Sequence, residues 1–195
     1  MSKEWFETWF DTKYYHLLYR NRNEVEARQF IDALLRFLTP EPGSQFIDVA
    51  CGKGRHSKYL NSLGYKVTGI DLSENSINEA RLNSSDDEGI QFHQQDIREP
   101  FPEQDLDFAV NLFTSFGYFD SEEEHQIALN NMYNSLKPGG KMVIDYMNAS
   151  EVLLSLKKEE HREGELHHRK GCREDRGAAA DENVSSSRCQ RGCHG

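Results

Sequence analysis

A short apolar segment that runs directly into a glycine turn constrains the fold of this chain more than any other feature. Phe46, Ile47 and Val49 fit a buried strand. The glycine-rich residues 52–54 then interrupt the apolar run, and helical spacing resumes over residues 55–63. The sequence therefore predicts a strand, a tight turn and a helix in that order, which is a building unit of α/β folds.

The turn suits a ligand that carries an anionic group. Gly52 and Gly54 lack a Cβ, so the backbone can turn sharply and a ligand can approach its N–H groups closely. The helix that follows directs unpaired N–H groups and a partial positive charge at the same place. We therefore expect a site for a carboxylate or a phosphate, although an ordinary tight βα loop without a ligand is the alternative for this turn taken alone.

The side chains beside the turn narrow the choice of ligand. Ser57 stands where a dinucleotide-binding fingerprint has its third glycine, so the full phosphate-binding pattern is absent. Lys53, Arg55 and His56 flank the turn, and we expect them to be solvated surface residues.

The order of residues around the turn resembles motif I of the class I S-adenosylmethionine (SAM)-dependent methyltransferases. The motif consists of Asp48, any residue, Ala50, Cys51, Gly52, any residue and Gly54. In that family the acid at the strand end and the glycine turn surround the methionine part of the cofactor. The resemblance therefore implies SAM as the cofactor and assigns Asp48, Ala50, Gly52 and Gly54 to its site.

Two further acids follow predicted strands. Asp71 ends the strand-like segment 65–70, about 20 residues after the glycine turn, where an acid binds the ribose hydroxyls of an adenosine. Asp96 follows the weak strand 90–94, and the resemblance implies that it accepts a hydrogen bond from the adenine amino group. The family pattern also places Leu72 and Ile97 in the cofactor site. A helix-capping Asp71 and a turn-forming Asp96 are the structural alternatives.

The next apolar run, over residues 106–113, predicts a strand that is covered on both faces of a parallel sheet. The loop that follows resembles motif IV, which lies between the sulfonium and the methyl acceptor in the family. This resemblance assigns Asn111 to the cofactor site and makes Tyr118 a candidate catalytic residue. Because ligands bind beyond the carboxyl ends of parallel strands, all of the named acids are expected at one edge of the sheet.

Residues 1–40 are predicted to form an N-terminal helical lid. Aromatic side chains recur at helical spacing over residues 2–20, and a second amphipathic helix is predicted over residues 23–38. The aromatic segment resembles the part of many small methyltransferases that closes over the cofactor. That resemblance implies that Arg20 pairs with the methionine carboxylate, that Tyr14 lies at the cofactor site, and that His16 faces the acceptor as a second candidate catalytic residue.

The rest of the chain is predicted to contain a SAM-binding Rossmann-like domain over residues 41–156 and a disordered or aberrant tail over residues 157–195. Leu166 and Val184 are the only large aliphatic residues of that tail, which is too little apolar surface to offset the entropy of ordering. Its His and Cys spacing fits none of the usual zinc patterns, and no metal site is predicted. Class I methyltransferases normally continue with two further strands and a helix, so the C-terminal part is expected to be incomplete.

The predicted fold is a three-layer α/β domain with a mostly parallel central sheet and right-handed crossovers. Its strands are expected near residues 45–50, 65–70, 90–94, 106–112 and 140–147. The predicted function is methyl transfer from SAM to a small or medium acceptor, and a SAM-binding domain without catalytic activity is the alternative.

Charge and hydropathy favour some partners over others. The formal net charge of -10 disfavours electrostatic binding to nucleic acid. It therefore also disfavours an RNA methyltransferase. The missing third glycine disfavours a nucleotide-binding oxidoreductase. No apolar run approaches the roughly 18 residues of a membrane span, and the acidic, aromatic first residues are unlike a signal peptide. We therefore expect a cytoplasmic location and a small-molecule acceptor; the sequence does not determine the oligomeric state.

Overall fold

A computed structural model describes residues 5–10, 12, 14, 24–84, 87–148, 150–151 and 154. In these ranges the strands are β1 (Gln45–Val49), β2 (Lys66–Asp71), β3 (Ile90–Gln94), β4 (Leu106–Asn111) and β5 (Leu136–Ile144). The helices are α1 (Trp5–Trp9), α2 (Glu24–Leu38), α3 (Arg55–Ser62), α4 (Glu74–Leu82) and α5 (Glu122–Asn134). Helices and strands alternate from α2 onward, except that β3 is followed directly by β4.

The strands form one parallel sheet in the order β3-β2-β1-β4-β5. The chain moves outward from β1 to β3 and then returns to the other side of β1 with β4. The order therefore reverses between β1 and β4, and ligands of open α/β sheets bind beyond the carboxyl ends of the strands at such a point. This arrangement confirms the predicted Rossmann-like fold.

The central strand β1 is covered on both faces, as its apolar sequence predicts. Phe46 packs in one cluster with Ile31 of α2 and with side chains of α3. Ile47 and Val49 pack in a second cluster with Met132 of α5. Because alternate residues of a strand point to opposite faces, this division places helices on both sides of the sheet and produces three layers.

The last strand begins earlier and ends earlier than predicted. Leu136 already pairs with Leu106, and the next pairing joins Lys141 to Phe108. The four residues between Leu136 and Lys141 leave the ladder as a bulge, in which Gly139 has a φ of +85°. The Lys-Pro-Gly-Gly segment of residues 137–140 therefore lies within β5. The strand ends at Ile144 and does not extend to residue 147.

Helix starts agree closely with their sequence signals. The Oγ atom of Ser73 accepts a hydrogen bond from the Ser76 N–H at 3.1 Å, and that of Ser121 accepts one from the Glu124 N–H at 3.2 Å. Both serines are therefore N-caps, a position that serine favours. Residues 15–23 of the predicted N-terminal helices and the whole tail over residues 157–195 lie outside the described residues. Within the described ranges no helix has the length and apolar character needed to cross a membrane.

Gly69 in β2 offers a direct test of the packing around the sheet. A Cβ at this position would lie 2.6 Å from Cδ1 of Phe92 and 2.9 Å from Sγ of Cys51. We expect Gly69→Ala to lower the free energy of unfolding by about 1–3 kcal/mol, the usual cost of overpacking, in urea denaturation. In a Phe92→Leu background the same substitution should cost less, because the ring that it meets is gone. An equal cost in both backgrounds would contradict this account of the packing.

Candidate functional site

A cavity of about 300 Å³ opens beyond the carboxyl ends of β1, β2 and β4. Asp48, Asp71 and Asp96, each at or near the carboxyl end of its own strand, all line it. The parallel sheet therefore brings these acids to one edge, as the sequence predicts. The predicted residues Ala50, Gly52, Leu72 and Ile97 line the same cavity.

The turn after β1 has a backbone that requires its glycines. Gly52 and Gly54 have φ angles of +57° and +76°, in the left-handed region that glycine adopts without strain. A Cβ on Gly54 would also lie 2.6 Å from the ring of Phe92. Ala50 has a φ of +61° despite its Cβ, and the Cys51 N–H donates to the Ile70 carbonyl at 2.9 Å. Backbone strain of this kind is concentrated at functional sites.

Asp71 joins the end of β2 to the glycine turn. One carboxylate oxygen accepts a hydrogen bond from the Gly52 N–H at 2.8 Å, and the other accepts one from the Ser73 N–H at 2.8 Å. Asp71 therefore does support the start of the helix, and its assignment to the ribose stays a prediction that is compatible with this role, since each carboxylate oxygen can accept more than one hydrogen bond. The two bonds fix the orientation of a carboxylate that lines the cavity.

Asp48 is an almost completely buried acid in the cavity wall. Its side chain is 1% exposed, and the Ser57 hydroxyl donates to it at 2.6 Å. Burial is the main cause that raises the pKa of Asp48 to about 7; the nearby charge of Asp71 raises it further, while the bond from Ser57 opposes the rise. Asp48 therefore changes charge near neutral pH.

Asp96 has a partner that the sequence analysis did not anticipate. The Arg98 guanidinium binds both of its carboxylate oxygens, with Nη2 at 2.6 Å from Oδ2 and Nε at 3.0 Å from Oδ1. The Arg98 N–H also donates to Oδ1 at 2.8 Å. Another Arg98 nitrogen, Nη1, lies 2.5 Å from Glu124 at the start of α5. No local pattern signals this last pair, because its residues are far apart in the chain.

His56 corrects the expectation that the basic residues near the turn are all solvated. Its ring is 5% exposed, stacks on Phe113 at 4.8 Å between ring centroids, and lines the cavity. The guanidinium of Arg55 also lies over the Phe113 ring, at 4.5 Å from its centroid. Lys53 is about half exposed and pairs with Glu79 at 2.7 Å, in agreement with the surface prediction. The helical spacing of His56 and the buried Leu60 was the available signal, since residues four apart share a helix face.

The loop after β4 is held by the end of β5. Phe113 and Thr114 have φ angles of +59° and +58°, which side chains other than glycine rarely adopt. Asp145 compensates this strain, since its carboxylate accepts a hydrogen bond from the Phe113 N–H at 2.9 Å and its carbonyl accepts one from the Thr114 N–H at 3.2 Å.

Aromatic contacts join this loop to α1. The Tyr118 hydroxyl donates to the Thr114 carbonyl at 2.8 Å, and its ring contacts those of Trp5 and Phe10 at 5.6 and 5.3 Å. Phe6, Phe10, Tyr118 and Phe119 all line the cavity. The N-terminal helix is therefore packed on the domain at the mouth of the site.

Three of the predicted site residues that the structure describes, Gly54, Asn111 and Tyr14, are not among the residues that line the cavity. Asn111 is fully buried, and its Nδ2 donates to the Val49 carbonyl at 2.9 Å. This bond joins β4 to β1, and the assignment of Asn111 to the cofactor site stays a prediction. Tyr14 is 55% exposed and is absent from the described lining. His16 and Arg20 lie outside the described residues, and their roles stay predictions.

Comparisons with known proteins identify the family. A family model described as a methyltransferase domain matches residues 40–184, well over half of the chain. The chain belongs to the class I SAM-dependent methyltransferases.

Relatives of this methyltransferase domain include enzymes named for small molecules. It is 32% identical over 133 residues to a dTDP-3-amino-3,4,6-trideoxy-alpha-D-glucopyranose N,N-dimethyltransferase of Streptomyces venezuelae, covering 67% of this chain and 54% of the relative. The crystal structure of Streptomyces venezuelae DesVI superposes with a TM-score of 0.57 at 32% identity, over 68% of this chain and 56% of that one. The X-ray structure of the sugar N-methyltransferase KedS8 from Streptoalloteichus superposes with a TM-score of 0.57 at 26% identity, over 68% of this chain and 53% of that one. The chain spans about half the length of the curated relatives it matches.

The raised pKa of Asp48 predicts a pH dependence of stability in this methyltransferase domain. The folded state keeps a proton on Asp48 up to about pH 7, whereas the unfolded chain releases it near the ordinary value of 3.8. This contribution is therefore fully present below about pH 4 and is lost as the pH rises through about 7. We expect the free energy of unfolding of the wild type to fall by about 2–3 kcal/mol between pH 5 and 7, relative to Asp48→Asn.

Urea denaturation across that pH range measures the effect, with Asp48→Asn as the reference for all other titrating groups. Ser57→Ala provides a matched variant: it removes the bond that lowers the pKa of folded Asp48, so the fall should begin at the same pH and continue to a higher pH. If the free energy of unfolding changed with pH by the same amount in the wild type and in Asp48→Asn, Asp48 would not titrate in this range.

Proposed function

We propose that this chain binds SAM in the cavity at the carboxyl edge of the sheet and transfers its methyl group to a small-molecule acceptor. The observation that carries this proposal is the convergence of Asp48, Asp71 and Asp96 with the glycine turn on one cavity. A nucleoside that also carries a cationic amino-acid group has donors suited to such acids: ribose hydroxyls, an exocyclic amine and an ammonium group.

The adenosine half of the proposed cofactor fits the β2 and β3 side of the cavity. We assign the ribose hydroxyls to Asp71, whose carboxylate is already oriented by the Gly52 and Ser73 N–H groups. The adenine amino group is assigned to Asp96, and Leu72 and Ile97 offer apolar contacts to the adenosine, since both line the cavity. A charge-assisted hydrogen bond is worth about 1.5–3 kcal/mol, so these acids would supply much of the affinity.

The methionine half fits the glycine turn. Ala50 and Gly52 line the cavity, where the backbone of the turn can come close to a ligand, and the start of α3 favours its carboxylate. Gly54 contributes through the shape of the turn, since its φ is +76° and a Cβ there would meet the Phe92 ring. Asp48 lies on the same wall and, when ionised, attracts the ammonium and sulfonium charges. Arg20 remains the proposed partner of the methionine carboxylate, together with Tyr14 as a lid residue.

The acceptor would enter from the aromatic side of the cavity. Methyl transfer is an in-line displacement at an activated carbon, so alignment of the two reactants supplies much of the rate. A base is needed only where the acceptor must lose a proton. Because the Tyr118 hydroxyl donates to the Thr114 carbonyl, we propose that Tyr118 positions the acceptor loop. His16 stays the candidate for proton removal.

The names of the relatives support a small, polar acceptor. One is named as an N,N-dimethyltransferase of an amino-sugar nucleotide and another as a sugar N-methyltransferase. Primary and secondary amines on small molecules are therefore the first acceptors to test. A cytoplasmic setting and the absence of a nucleic-acid partner also remain predictions, the latter supported by the net charge of -10.

Transfer of a labelled methyl group tests this proposal. The purified chain is incubated with methyl-labelled SAM and a panel of amine, hydroxyl and carboxylate acceptors, and the products are separated and identified. We expect a labelled product with at least one small amine. Binding of SAM without any labelled product across the panel would contradict the proposed activity, while leaving the cofactor site in place.

Asp71→Asn tests the ribose assignment. The substitution keeps the size of the side chain but removes its charge and one acceptor, so we expect S-adenosylhomocysteine to bind about 10–100-fold more weakly in calorimetric titration. Asp87→Asn, which changes an exposed acid that is not on the cavity wall, is the matched control and should leave the affinity unchanged. Equal losses in the two variants would point to a general charge effect.

A further inference from the structure

Arg98 forms ion pairs with Asp96 of the cavity wall and with Glu124, and the proposed function gives Arg98 no role. Both oxygens of Asp96 accept hydrogen bonds from the Arg98 guanidinium, at 2.6–3.0 Å, and Oδ1 also accepts one from the Arg98 backbone. The side chains of both residues are only about one-fifth exposed. The Asp96 carboxylate, which lines the cavity, is thus oriented by a planar group.

Arg98 also contacts residues other than Asp96. Glu124 lies 2.5 Å from Nη1, and the Ser121 hydroxyl donates to another oxygen of Glu124 at 3.1 Å. The guanidinium also lies over the ring of Phe119, at 4.8 Å from its centroid. Hydrogen bonding from Arg98 is the main cause that lowers the pKa of Glu124, so Glu124 carries a negative charge at neutral pH.

We propose that Arg98 is a positioning residue that orients the Asp96 carboxylate toward an amino group on the ligand, and thereby makes the site prefer a 6-aminopurine over a 6-oxopurine. This inference rests on the proposed function, which assigns Asp96 to adenine.

The physical basis is the fixed direction of the Asp96 lone pairs. A carboxylate has about four acceptor positions, and the guanidinium and backbone N–H of Arg98 occupy three of them, two on Oδ1 and one on Oδ2. One position on Oδ2 remains for a donor in the cavity that Asp96 lines. A 6-amino group can donate to it, whereas a 6-oxo group presents its own lone pairs and leaves two acceptors facing each other. Without Arg98 the Asp96 carboxylate can rotate away from that repulsion, so the preference for the 6-aminopurine over the 6-oxopurine falls.

Glu124 allows the effect of Arg98 to be isolated. Glu124 contacts Arg98 but is not on the cavity wall, so any effect of its substitution on ligand choice must pass through other residues. Lys137 and Asp107 form a comparable ion pair at the start of β4, away from the cavity wall. Lys137→Gln is therefore a matched control for the loss of one ion pair.

The test is calorimetric titration with two ligands, S-adenosylhomocysteine and its 6-oxo counterpart S-inosylhomocysteine, and the readout is the ratio of their dissociation constants. We expect the wild type to prefer the adenosyl compound and Arg98→Gln to lower that preference about tenfold. Glu124→Gln should lower it less, and it should have no further effect when combined with Arg98→Gln. Lys137→Gln should leave the ratio at the wild-type value.

The outcomes separate this inference from the proposed function. If the wild type binds the adenosyl compound and Arg98→Gln keeps the wild-type ratio, the role of Arg98 is refuted while the cofactor site stands. If the wild type binds neither compound, the proposed function fails and this inference fails with it. Should Arg98→Gln not fold, Arg98→Lys keeps the charge without the paired N–H geometry. The same fall in ratio is expected there, and an unchanged ratio overturns the proposal.

Discussion

The bridge between the Asp71 carboxylate and the Gly52 N–H is the interaction on which the site depends. It joins the end of β2 to the turn after β1 at 2.8 Å, while the other carboxylate oxygen holds the start of α4 through the Ser73 N–H. One side chain therefore sets the glycine turn and the helix start relative to each other. The left-handed backbone at Gly52 and Gly54 makes this approach possible, because a Cβ would strain the turn.

The features that could be predicted from the sequence are those that depend on residues close together in the chain. The strand, glycine turn and helix around Gly52 follow from apolar spacing and from the freedom of glycine, and the capping role of Ser73 follows from its position before a helix. The common edge of the acids follows from a rule of topology, since every strand of a parallel sheet ends on the same side. The resemblance to a family then named the cofactor, which no pattern of hydropathy can do.

The features that could not be predicted depend on residues that meet only in the folded chain. Arg98 and Glu124 belong to different elements, and their contact depends on where α5 packs. The bond from the fully buried Asn111 side chain to the Val49 carbonyl likewise joins residues that are far apart in the chain. The burial of His56 requires Phe113 beside it, and Phe113 in turn is held by Asp145 at the far end of another strand. Tertiary contacts thus decided each of these positions.

The most direct test of the account is a crystal structure of the chain with S-adenosylhomocysteine bound. The account predicts the ribose hydroxyls within hydrogen-bonding distance of the Asp71 carboxylate, the adenine amino group on Asp96, and the amino-acid part over the turn at Gly52. A ligand bound elsewhere on the chain, or bound in this cavity with its ribose away from Asp71, would contradict it.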